Sequence, residues 1–75
     1  MKITINGESR EVEEGAAIAS VIAALNIDEA KIAACALNAR IVKREGWACE
    51  KLKEGDRLEL LAFVGGGGGR FAFLI

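Results

Sequence analysis

The sequence has no histidine. It therefore lacks the side chain that most often moves protons near neutral pH and that commonly joins cysteine in holding zinc. Only two cysteines are present, Cys35 and Cys49, and they do not form a CxxC pair. A zinc site would need more ligands, so both are expected to be small buried apolar side chains in a reducing compartment. Neither sign of charge dominates. Ten Lys and Arg against eleven Asp and Glu leave a net charge of −1. That balance argues against a protein that binds nucleic acid by neutralising phosphates. No apolar run approaches the ~20 residues of a membrane-spanning helix. The opening Met1-Lys2-Ile3-Thr4 does not begin the long apolar segment of a secretory signal. The expectation is a cytoplasmic protein with no nucleic-acid and no membrane partner.

What is present is enough apolar side chain for one small core. The chain has 75 residues, of which 52% are hydrophobic, which points to a single globular domain with modest stability. Ile3 and Ile5 alternate with Lys2, Thr4 and Asn6, the period of a half-buried strand. Asn6-Gly7 then suits a type I′ hairpin turn, which needs positive φ at both central residues. Residues 8–12 return as a second strand. Ile18, Val21, Ile22 and Leu25 fall at helical spacing and predict one amphipathic helix over about residues 17–25. Its start carries no capping side chain at Ala16 or Ala17. Asn26 is a suitable stop, because asparagine tolerates the left-handed conformation.

Residues 33–37 read as a buried strand, with helix an open alternative from pattern alone. Asn38-Ala39 would turn the chain, Arg40 to Lys43 would continue as a short strand, and one irregular or 3₁₀ turn is expected within Glu45 to Leu52. Trp47 is expected as a core plug under that loop. Lys53-Glu54-Gly55-Asp56 is a turn cluster. From Arg57 to Val64 the pattern alternates again, placing Leu58 and Leu60 on one face and Arg57, Glu59, Leu61 and Phe63 on the other. The expected core comprises Ile3, Ile5, Val12, Ile18, Val21, Ile22, Leu25, Leu37, Leu58 and Leu60. The order of elements predicts an α+β fold: one main helix packed on a mixed sheet of about five strands, the β-grasp arrangement of ubiquitin.

Five consecutive glycines, Gly65 to Gly69, follow the last strand. Glycine loses the most backbone freedom on ordering, so such a run does not favour a stable helix or strand. It makes a thin lead without β-carbons, able to enter a narrow channel in another protein; a flexible linker is the alternative reading. The chain thus divides into a domain at 1–64 and a flexible glycine-rich tail at 65–75 with an apolar extension. Leu61 and Phe63, two large apolar side chains on the outward face of the strand that leads to this tail, are candidates with Val64 for a docking patch.

Asn38, Ile41-Val42, Arg44, Trp47, Leu52, Gly55-Asp56, Leu58, Leu60 and Val64-Gly65-Gly66-Gly67 resemble the pattern of the ThiS-like sulfur carriers of thiamine biosynthesis, ubiquitin-like β-grasp proteins related to MoaD. Asn6-Gly7, Gly15, the helical stripe and Ile27 agree with the same family. The resemblance covers residues 1–67. The chain departs from the family at Ala39, where glycine is usual, at Lys43, where proline is frequent, and at Ala17, where the family has a capping threonine. It also continues for eight residues past Gly67, whereas family members typically stop at Gly-Gly.

The resemblance implies a cosubstrate rather than an enzyme, with no bound cofactor. An E1-like adenylating enzyme would use ATP to activate a glycine carboxylate, which would then become a thiocarboxylate. A sulfur donor and a thiazole synthase, or another sulfur acceptor, would be the further partners. Gly67 would be the reactive residue and Gly66 its neighbour, with Gly69 an alternative end after processing. Some ThiS-like proteins serve other sulfur pathways and carry extensions that a peptidase trims, so a tail-trimming peptidase is a possible partner. A β-grasp interaction module without carrier chemistry is the reading from another class. Until removed, the apolar tail could lie on the patch near Phe63 or pair with a sheet edge.

Overall fold

The computed structural model describes residues 1–64 and 70–73, with side chains through Ala62. Strands β1 (Lys2–Ile5) and β2 (Glu8–Glu11) form the first antiparallel hairpin, followed by helix α1 (Ile18–Ala24). Strands β3 (Ile32–Leu37), β4 (Arg40–Ile41), β5 (Arg57–Val64) and β6 (Arg70–Phe73) complete the sheet. Five strands lie in the order β2-β1-β5-β3-β4, and β6 pairs with β5. β1 and β5 are parallel, while β5 is antiparallel to β3. The last long strand thus runs through the middle of the sheet, beside the first, as in the expected β-grasp.

The hairpin turns where the residue types allow it. Asn6 and Gly7 have φ of 51° and 87°, and Asn26 ends the helical region at φ 60°. α1 starts without a side-chain cap at Ala17. Its free amides are met by a neighbouring loop instead: Ile18 donates to the Glu50 carbonyl at 3.1 Å and Ala19 to the Trp47 carbonyl at 3.0 Å. Backbone acceptors from residues 47–50 thus replace the missing threonine.

The core lies between α1 and one sheet face. Ile3, Ile5, Ile18, Val21, Ile22, Leu37, Leu58 and Leu60 are buried as expected. Val12 and Leu25 are only partly buried at its margin, a correction to the expected core. Val12 falls just beyond the end of β2, and Leu25 occupies the helix C-cap. The core also includes Ile32, Val42, Trp47 and Leu52. Trp47 is the expected plug, and its indole N–H donates to the Val42 carbonyl at 2.9 Å. The Arg44 guanidinium lies 4.7 Å over the Trp47 ring. It also donates to the carbonyls of Glu29 and Ile32 at 2.8 and 2.7 Å, tying two loops together. Cys35 is buried, but Cys49 is exposed, which corrects the expectation that both are buried; both thiols are free.

A polar knot at the start of β5 accounts for the Asn38 and Gly55-Asp56 positions. Asp56 is a buried carboxylate. It accepts from the Asn38 side-chain amide at 3.0 Å and from the Lys53 backbone amide at 2.8 Å. The Asn38 side-chain oxygen accepts from the Arg57 amide at 2.9 Å. This places Asn38 in a left-handed turn, and Ala39 follows it at φ 70°. A β-carbon in that region costs about 1–2 kcal/mol. Ala39→Gly relieves this strain but frees the unfolded chain, an opposing effect of about 0.4–1 kcal/mol. The variant should therefore be more stable by roughly 0.5–1 kcal/mol, read by urea unfolding. A decrease in stability would contradict the strain at this turn.

Candidate functional site

β5 carries the site because it connects the core to the glycines. Its alternation buries Leu58, Leu60 and Ala62 against the helix side and leaves Arg57 and Glu59 exposed on the other. Leu61, on that second face, is half-buried. The strands on either side place further apolar groups around it. Ala34 pairs with Leu61 and Ala36 pairs with both Glu59 and Ile41. Ala34, Ala36, Ile41, Glu59 and Leu61 line a shallow hollow of about 130 Å³ on the open sheet face. Ile41 is 66% exposed, unusual for so large an apolar side chain.

This patch is partly the one expected from sequence. Leu61 takes the expected face, whereas the side chain of Phe63, and that of Val64, lie outside the described residues. Gly66, Gly67 and Gly69 lie outside them altogether. Sequence reasoning missed Ile41, Ala34 and Ala36. Ile41 falls in the two-residue β4, both of whose residues are exposed, so there was no alternation to read.

The edge of β5 on the β1 side is arranged in three steps. β1 pairs with it as far as Leu58. Asn6 then bends away but keeps its side chain on β5: the Leu60 amide donates to its oxygen at 2.8 Å, and its nitrogen donates to the Leu60 carbonyl at 3.2 Å. Beyond that, β6 takes over antiparallel, with Leu61 opposite Phe73, Ala62 opposite Ala72, Phe63 opposite Phe71 and Val64 opposite Arg70.

Nothing described near β5 is built for covalent chemistry. Burial pushes the Cys35 thiol up to about 11, so it stays protonated and poorly nucleophilic near neutral pH. Among the described residues no group of three potential ligands could hold a metal ion. A larger hollow of about 380 Å³ lies between β2 and α1, lined by Val12, Ala16, Val21 and Ala24 with Glu11 and Glu13 at its rim. β1 separates that edge of the sheet from β5. The face of β5 away from the helix thus carries an exposed apolar patch.

The open-face residues should therefore be separable from the core. Ile41→Asp should cost no more than about 1 kcal/mol, a strand-propensity effect at an exposed site. Leu60→Ala should cost about 2–5 kcal/mol, since it leaves a cavity. Thermal unfolding of the two variants checks this, and a large loss from Ile41→Asp would make Ile41 part of the core.

Comparison with known proteins agrees with the geometry. The crystal structure of the thiamine biosynthesis protein ThiS from Geobacter metallireducens superposes with a TM-score of 0.75 at 31% identity, covering 89% of this chain and all of that one. A solution structure of a thiamine biosynthesis protein from the same organism gives 0.72 at 31% identity, covering 91% and 90%. Two proteins named thiazole synthase are also similar, from Paramagnetospirillum magneticum at 36% identity and from Magnetococcus marinus at 33%, each over 67 residues and 89% of this chain. The chain spans only about a fifth of the length of these two relatives. No helix among the described residues is long and apolar enough to cross a membrane. Residues 3–67 match the ThiS family; with the β-grasp sheet and the glycine run after its central strand, the chain belongs to that family.

Proposed function

We propose that this chain is a sulfur carrier of thiamine biosynthesis, a cosubstrate that holds sulfur as a thiocarboxylate on Gly67. The observation that carries the reading is the extent of the family match, which begins in the first strand and closes at residue 67, inside the glycine run. A carboxylate is a poor acyl donor until one oxygen becomes part of a leaving group. An adenylating enzyme supplies this by letting the carboxylate oxygen attack the α-phosphorus of ATP, with loss of pyrophosphate. A sulfur donor at the oxidation level of sulfide then attacks the acyl carbon, and AMP leaves. The product passes its sulfur to a thiazole synthase, the activity named in the two longer relatives. Those names favour thiazole formation over a carrier for another sulfur pathway.

In this division of labour the chain supplies no catalytic group and binds no cofactor; ATP belongs to the activating partner. The open-face patch around Ile41 and Leu61 docks that partner, and the glycines carry the carboxylate into its channel. Gly67 is followed by Gly68, so its carboxyl group is an amide until that bond is cut. A trimming peptidase is accordingly a partner of the carrier, and Gly69 is the less favoured cleavage point.

Two forms of the protein test the reading, one ending at Gly67 and one continuing to Ile75, each given ATP and the cognate adenylating enzyme. Pyrophosphate release and sulfur uptake are expected from the shorter form alone. Equal activity from the longer form, with its mass unchanged before activation, would overturn the assignment of Gly67.

A further inference from the structure

We propose that β6 is an autoinhibitory strand: Arg70–Phe73 occupies the edge of β5 that leads to the glycines and competes with the adenylating partner for it. The partner named here rests on the carrier reading; the occupied edge does not. On the β1 side of β5, the pairing through Leu58, the Asn6 side chain at Leu60 and β6 from Leu61 to Val64 follow one another without a gap. Among the described residues, β6 is what pairs with this edge beyond Leu60. A bare, regular strand edge is a template for another strand, and a partner that adds a strand there gains main-chain hydrogen bonds. The chain's own segment takes that place first, at the high effective concentration given by a short link.

The composition of β6 suits the role. Arg-Phe-Ala-Phe places strand-favouring phenylalanines at alternate positions, and it follows a glycine run that has little structure-forming tendency of its own. The register also matters. Leu58 and Leu60 direct their backbone groups toward β1 and Asn6. By the alternation of a strand, Ala62 and Val64 direct theirs to the same side, where Ala72 and Arg70 oppose them. With Val64 and Arg70 paired, a partner meets two antiparallel strands at this end of the sheet instead of one strand running on toward Gly67. Cleavage after Gly67 then has two effects: it frees a carboxylate, and it severs β6 from the domain, turning a tethered competitor into a dilute one.

Ala72→Pro in the full chain separates these effects, because proline removes the amide that faces Ala62 while leaving the peptide bond after Gly67 intact. Amide hydrogen exchange reads the pairing directly. In the unmodified chain, the Ala62 and Val64 amides should be protected. In Ala72→Pro, and in the form ending at Gly67, they should lose protection while Ile5 and Leu58 keep theirs. Unprotected Ala62 and Val64 amides in the unmodified chain would overturn the proposal. Binding to the adenylating enzyme reads the competition. If β6 is paired nine-tenths of the time, Ala72→Pro should bind about tenfold more tightly than the unmodified chain, yet release no pyrophosphate. Equal affinity of the two would overturn autoinhibition. A form ending at Gly67 that binds but is never adenylated would sink the carrier reading alone, and the exchange result would still decide whether β6 covers β5.

Discussion

β5 has to satisfy two demands at once, and the rest of the structure is arranged around that. As the central strand it is paired on both sides and buries Leu58, Leu60 and Ala62 against the helix layer. It must also hand the chain over to a glycine run at its far end. Its near end is fixed by a buried carboxylate: Asp56 is held by Asn38 and by the Lys53 amide, and Asn38 in turn holds Arg57. A buried carboxylate left without those donors would cost several kcal/mol, so the turn at Asn38 and the start of β5 stand or fall together. This is the physical content of two positions that sequence reasoning read as turns and that the resemblance also picked out. They are structural, and they aim the strand.

Much of the fold was legible because periodicity reports burial directly. Ile18, Val21 and Ile22 announced a helix face, Ile3 and Ile5 a strand face, and Asn6-Gly7 the turn between two strands. What periodicity could not show was the set of contacts made by loops. Trp47 and Arg44 act through backbone carbonyls, and the uncapped start of α1 is served by residues distant in sequence. Val12 and Leu25 fit the apolar pattern yet lie just past the ends of their elements, where burial falls off.

The candidate site was half legible. Leu61 followed from strand alternation, but Ile41 sits in a two-residue strand, too short for any periodic signal. The Asn6 clasp on Leu60 was hidden because Asn6 already had a sufficient local explanation as a turn residue. Only the tertiary pairing shows its second use: it completes the β5 edge at the rung where β1 stops and β6 begins. The glycines were conspicuous in the sequence, but their meaning came from what precedes them. On the proposed carrier reading, a glycine run behind a central strand with an apolar patch beside it would serve as a lead for a partner, where the same run behind an unstructured segment would be a linker.

If this domain delivers a glycine acyl group, as proposed, the state of its C-terminus in the cell is decisive. Intact mass measurement of the protein isolated from its own cells reads that state without any assumed partner. The expected result is a species ending at Gly67, part of it heavier by the replacement of one oxygen with one sulfur. A population in which Gly67 is always joined to Gly68, with no thiocarboxylate at any glycine, would contradict it.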